Sequence, residues 1–171
     1  NESLTNWAFA HTKEIQLMDT EAIAFRRRRF TDTPMAQKPP FILRGSYLAA
    51  MNYWHGAIEN EWANNWVDYW TDGKGEFVAS AMEGSGMMIA LKFLEQAKRV
   101  DCSRVMMLRA ASNYTMQWPG GTAIESKSGE VMGGYSAFIP SIENAFNVGS
   151  PVVREIVKNW DTYSSTLPSV K

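Results

Sequence analysis

The chain has 171 residues, enough for one domain with a hydrophobic core. It is 45% hydrophobic and 20% charged, a balance that excludes a disordered polymer. A formal net charge of −1 leaves no basic footprint for nucleic acid or for an anionic membrane surface.

The chain starts at Asn1 rather than Met and opens directly into helical periodicity. This points to a fragment or to a mature chain cut from a longer precursor. Leu4, Ala8, Ile15, Met18, Ala22 and Phe25 recur at helical steps and predict one long first helix. His11 falls on the same face, as a hydrogen-bonded structural histidine. The basic run Arg26 to Arg29 suits the last turn of a helix, where the macrodipole favours cations. Pro34, Pro39 and Pro40 mark a non-helical connection.

Phe41 to Arg44 reads as a short strand before Gly45. A helix follows Gly56, with Ile58, Trp62, Trp66, Tyr69 and Trp70 as its buried stripe and Gly73 as its stop. Phe77 to Met82 reads as a strand, followed at once by Glu83-Gly84-Ser85-Gly86. A further helix carries Met87, Leu91 and Leu94 on one face. Arg104 to Ala111 is apolar on both faces and predicts a buried central strand. Asn113 to Gly134 reads as a long loop. The final helix is expected to begin with Ser150 as cap and Pro151 in its first turn. Val152, Val153, Ile156, Val157, Trp160 and Tyr163 line one of its faces. Strands alternating with helices predict an α/β fold with a largely parallel sheet.

Cys102 is the only cysteine and His11 and His55 the only histidines. An internal disulfide is thereby excluded, and no metal centre or other cofactor is expected. No apolar stretch approaches the roughly twenty residues of a membrane span, and no signal peptide is visible.

Open α/β sheets bind ligands beyond the carboxyl ends of their strands. Glu83 stands there between an apolar strand and two glycines. Its carboxylate can accept from two adjacent hydroxyls, such as the 2′ and 3′ pair of a ribose; the alternative is an acid that simply complements a helix dipole. Asn113 closes the next predicted strand. Its amide carries both donor and acceptor and can read a purine at N7 and the six-position substituent, or it can merely form a turn. Asn113 also opens an Asn-Tyr-Thr glycosylation sequon, and Asn1 an Asn-Glu-Ser one. Tyr53 and Trp54 can stack on a base or staple the following helix. His55 titrates near neutrality and can act as acid or base, or as a structural histidine.

Several separated motifs carry a family resemblance. They are Tyr53-Trp54-His55-Gly56, Asn60-Glu61-Trp62-Ala63-Asn64, Tyr69 to Gly75, Ala81-Met82-Glu83 with Gly86, Arg109 to Met116, Gly133-Gly134-Tyr135-Ser136, and Gly149 to Glu155. Together they resemble the purine nucleoside permease family, which is similar to nucleoside phosphorylases and nucleosidases. The resemblance implies a three-layer αβα fold around a central mixed, largely parallel sheet, of which residues 1–171 supply the carboxyl-terminal part. It implies that Met82 and Glu83 hold the ribose, that Ser112 and Asn113 contact the purine, and that Leu48 lies near the base. It further implies cleavage of the bond between purine and sugar, by phosphorolysis with phosphate as co-substrate or by hydrolysis. Non-catalytic nucleoside binding, uptake or storage is the alternative. The phosphate-binding amino-terminal half is expected either on a second polypeptide, in a homo- or hetero-oligomer, or to be missing because the chain is a fragment, with a secreted or cell-surface setting favoured over a cytoplasmic one.

Overall fold

The computed structural model describes residues 1–132 and 137–170. Its centre is a small parallel β-α-β unit. Strand β1 (Ser46–Ala49) pairs with β2 (Phe77–Ala81), and helix α3 (Ala57–Thr71) makes the crossover. Leu48 faces Ser80 and Ala49 faces Ala81, with one irregularity between Ser46 and Tyr47. The strand predicted at Phe41 to Arg44 is instead an irregular approach. The ladder opens one step later, where the Ser46 N–H donates to the Glu76 carbonyl at 2.7 Å.

α3 begins after Gly56, whose φ of 134° is open to glycine and closed to most L-residues. Asp72 ends it in the left-handed conformation, with Gly73 following. The predicted aromatic stripe on this helix is not buried. The buried residues are Ala63, at 0% exposure, and Val67; Ile58, Trp62, Trp66, Tyr69 and Trp70 are exposed. Small side chains let the helix approach closely on that face. The large rings on the adjoining face stack on one another, Trp62 on Trp66 at 5.6 Å and Trp66 on Tyr69 at 6.3 Å.

The predicted long first helix is two. α1 (Glu2–Thr12) is capped by the Asn1 side chain, which accepts from the Leu4 N–H at 3.1 Å. α2 (Glu21–Arg27) is capped by Thr20, held extended, whose hydroxyl accepts from the Ile23 N–H at 3.3 Å. Asp19 takes two guanidinium nitrogens of the buried Arg27 at 2.7 and 2.6 Å. A capping Thr20 and a committed Asp19 leave no continuous helix across 13–20. Arg26 and Arg27 do occupy the last turn of α2, as the macrodipole favours. His11 is exposed and packs edge-on against Trp7 at 4.9 Å; it is not a core histidine.

After β2 comes α4 (Gly84–Gln96), on which Met87 and Leu94 stay exposed. The segment predicted as a central strand, Arg104 to Ala111, starts on the last residue of a 3-10 turn, Cys102–Arg104, and is irregular over 105–111. A strand exists through its ladder, and the described sheet is two-stranded, with no strand paired to this stretch. The predicted loop after Asn113 turns helical halfway, as α5 (Ala123–Met132). Thr122 and Glu125 form a reciprocal cap: the Glu125 N–H donates to the Thr122 hydroxyl at 3.2 Å, and the Thr122 N–H to the Glu125 carboxylate at 2.9 Å. Gly133 to Ser136, one of the motifs of the resemblance, lies outside the described residues.

The last predicted helix begins earlier than its cap signal. α6 (Phe138–Lys158) runs through Ser150 and carries Pro151 in its interior. Proline forfeits one helical hydrogen bond, yet Val148 and Val152 on either side are both buried and keep the helix on the core. Val153, Val157 and Trp160 are exposed, against expectation, and Trp160 opens a short separate helix, α7 (Trp160–Tyr163). The main core joins the two termini: Leu4 and Trp7 of α1 pack with Val152, surrounded by Met106, Ile156, Tyr163 and Leu167.

The arrangement is therefore α/β, with a parallel pair as predicted and a smaller sheet than predicted. Trp7 is the largest side chain of the core cluster. Replacing Trp7 by Ala is expected to cost about 3–5 kcal/mol of unfolding free energy, measured by urea denaturation. A loss below about 1 kcal/mol would show that this cluster does not hold the termini together.

Candidate functional site

Parallel pairing brings the carboxyl ends of β1 and β2 to one edge, where the Ala50 N–H still donates to the Ala81 carbonyl at 2.9 Å. Met82 and Glu83 leave β2 at that edge, and the chain leaving β1 leads on to Tyr53, Trp54 and His55. Leu48 is half-buried within β1. The loop bearing Ser112 and Asn113 is stitched to the start of α3. The Gly56 N–H donates to the Thr115 carbonyl at 2.9 Å, and the Ala57 N–H to the Gln117 side chain at 3.1 Å. The Thr115 hydroxyl donates to Asn60, and the Tyr114 hydroxyl to the Ala36 carbonyl.

These tethers set four of the predicted residues into one hydrogen-bond chain. The Ser112 hydroxyl donates to Asn113 Oδ1 at 3.1 Å. Asn113 Nδ2 donates to the Tyr114 carbonyl at 2.8 Å and to the Tyr53 hydroxyl at 3.3 Å. The Tyr53 hydroxyl meets His55 Nδ1 at 3.4 Å, with the two rings parallel at 6.3 Å. His55 Nε2 lies 3.0 Å from the hydroxyl of Ser126, which is buried on α5. Ser126 was invisible while residues 113–134 read as a loop; the Thr122-x-x-Glu125 capping pattern was the signal that would have placed it on a helix.

Burial pushes the His55 pKa below its ordinary value, and Lys127, whose ammonium sits 5.7 Å over the Tyr53 ring, pushes it the same way. The Tyr114 backbone carbonyl and Glu59 oppose the shift without reversing it. The imidazole is thus a neutral link in the chain, not a cation, at neutral pH.

The other predicted residues stand apart from this chain. Trp54 tilts against Phe77 of β2 at 5.9 Å, and its buried indole N–H has no acceptor among the described residues. Met82 is exposed. Glu83 is exposed at the start of α4, and its carboxylate has no hydrogen bond or ion pair among the described residues. Just behind it, Gly84 is pressed against two side chains: a Cβ there would lie 2.5 Å from the Tyr47 ring and 2.9 Å from Arg109 Nη2. Arg109 lies over the Tyr47 ring at 4.9 Å, with Nε and Nη2 buried and lacking acceptors among the described residues. An open hollow of about 510 Å³ lies at the other end of β2, lined by Asn64, Asn65, Asp68 and Gly75 to Val78. Among the described residues no group of three or more His, Cys, Asp or Glu side chains is arranged to hold a metal ion.

Residues 1–168 match the purine nucleoside permease family, and the chain belongs to it. A purine nucleoside permease of Candida albicans is 29% identical over 162 residues, which cover 94% of this chain and 39% of that protein. A protein of Schizosaccharomyces pombe described as a probable purine nucleoside permease is 24% identical over 164 residues, covering 96% of this chain and 46% of its own length. The chain thus spans less than half the length of these relatives. No solved structure matches it. The expectation of glycosidic-bond cleavage is corrected by these matches, because the family and both relatives are described as permeases, a name for carriers and not for nucleoside-cleaving enzymes. No helix among the described residues is long and apolar enough to cross a membrane.

The depressed His55 pKa has a signed consequence. Below about pH 6.5 the unfolded chain binds a proton that the folded imidazole resists, so stability falls as pH drops from there through the lower folded value. His55→Gln is expected to lose less melting temperature than wild type between pH 7.5 and pH 5.5. Identical pH slopes for the two proteins would remove His55 as the origin of the effect.

Proposed function

We propose that this chain binds purine nucleosides without cleaving them, as the ligand-holding part of an uptake protein. Family membership supports the ligand class and the carrier role. The observation that carries the reading is the convergence of Tyr53, His55, Ser112 and Asn113, from two distant segments, into a single half-buried chain of hydrogen bonds. Asn113 contacts the purine in this reading, with Ser112 beside it. Tyr53, Trp54 and His55 border the base, and Leu48 lies under it. Glu83, an uncommitted carboxylate at a strand's carboxyl end, accepts from the ribose hydroxyls, with Met82 against the sugar.

The finer architecture belongs to the same proposal. The exposed aromatic face of α3 and the exposed apolar residues of α6, among them Phe138, Ile142, Phe146 and Val157, are surfaces that a further layer would cover. The relatives' greater length supports the presence of such a layer, on the same polypeptide or on a second one. With it the chain would form part of a three-layer αβα domain.

Titration calorimetry tests the function. The chain is expected to bind a purine nucleoside saturably and to release no free base, with or without phosphate. Glu83→Ala is expected to weaken nucleoside binding about tenfold or more while leaving binding of the free base nearly unchanged, since only the nucleoside has hydroxyls to lose. Equal losses for nucleoside and base would remove the ribose role of Glu83.

A further inference from the structure

Helix α6 faces two ways. Its buried face carries Ser141, Val148 and Val152, and Val152 packs on Leu4 and Trp7 of α1. A second face carries Ile139, Ile142, Phe146, Val153 and Val157, each more than half exposed. At about 100° per residue these five fall within an arc of about 60°, centred about 130° from the buried face. The exposed stripe runs for about five turns, roughly 27 Å. A stripe this long and continuous is the mark of an interface, unlike scattered surface apolar residues.

The stripe reads nearly the same from either end. Reversed about the junction of Gly149 and Ser150, Phe146 falls on Val153 and Ile142 on Val157. The two small residues thus sit where two such helices, laid antiparallel, would cross, and they allow a close approach of the backbones. On one flank of the stripe lie Glu143 and Arg154, both exposed and without an ion pair or hydrogen bond among the described residues. A two-fold axis at the junction brings like flanks together. Glu143 of each copy then meets the other copy's Arg154, offset by about 3 Å along the axis, and symmetry makes the contact twice. A parallel pair gives neither charge an opposite partner. The other flank is apolar: Leu108, itself half exposed, rests 3.3 Å from where a Cβ on Gly149 would lie. We infer that α6 is a self-association surface, on which a second copy of this chain lays its own α6 antiparallel, Phe146 against Val153 and Glu143 against Arg154. This inference is independent of the nucleoside reading, and it names the cover over α6 that the proposed layering leaves open.

Sedimentation velocity of the 171-residue chain is expected to show a dimer; a monomer at every concentration overturns the inference. Phe146→Glu changes an exposed residue and is expected to give a folded monomer; a dimer that persists in it is built elsewhere and overturns the inference. The charge pairs are read by a swap. Glu143→Lys and Arg154→Glu are each expected to weaken the dimer about tenfold, and the double variant to restore it. A double variant as weak as the single ones overturns the antiparallel pairing. Cross-linking reads the register in a Cys102→Ser background, Cys102 being the only cysteine. Ser150→Cys is expected to give a disulfide-linked dimer on mild oxidation. Val157→Cys is not, because its two copies lie about 22 Å apart along the axis. Linkage through position 157 and not through 150 marks a parallel pair and overturns the inference. None of these readouts involves a nucleoside, so failure of the nucleoside reading leaves them standing.

Discussion

The site depends on the parallel pairing of β1 with β2. Two strands running the same way deliver their exits to the same edge, and the crossover helix must start and finish at opposite ends of them. The start of α3 therefore falls beside the exit of β1, where Gly56 accepts the unusual φ that turns the chain into the helix. The Thr115 carbonyl and the Gln117 side chain then take up N–H groups at that helix start, which otherwise lack partners. Capping the helix and positioning Asn113 are thus one act. A short sheet suffices because the loop is held by backbone partners on α3 and not by the sheet itself.

Much of this was legible where the signal was local. The strand at Phe77, the helix between Gly56 and Gly73 and the cationic end of α2 follow from composition and turn residues; Tyr53, His55 and Asn113 stand out singly, but no sequence signal gives the bonds that join them. The failures have two physical sources. One is a cap overlooked or misplaced: Thr20 divided a helix, and Thr122 started one inside a predicted loop, whereas Ser150 looked like a cap and was passed over by a helix already anchored at Val148. The other is that hydrophobic periodicity reports which face wants to be buried, not what is present to bury it. Trp62, Trp66 and Tyr69 obey the period yet point outward, since Ala63 and Val67 meet the sheet. Arg104 to Ala111 has the composition of a central strand and no described strand paired beside it.

Arg109 and Glu83 belong to the same edge and illustrate complementary deficits. The guanidinium has donors removed from water and no acceptor among the described residues; the carboxylate has acceptors exposed to water and no described donor. Only the glycine at position 84 allows the Tyr47 ring and Arg109 to close up behind the start of α4. Leaving buried donors unmet is costly. In this geometry the Glu83 carboxylate remains uncommitted among the described residues.

The Asn-Tyr-Thr sequon at Asn113 can be weighed on the same grounds. A glycan attaches to Nδ2 and replaces one of its hydrogens, so the nitrogen would keep a single donor for two acceptors that stand at 2.8 and 3.3 Å. The bulk of the sugar would also have to occupy the space of either the Tyr114 carbonyl or the Tyr53 hydroxyl. The sequon threonine is engaged as well, donating to Asn60. Asn1 differs: it is exposed, and it caps α1 through its oxygen, leaving the nitrogen outside the cap. Glycosylation at Asn113 and the hydrogen-bond chain are therefore mutually exclusive, and a folded chain with this chain of bonds intact carries a bare amide at that position.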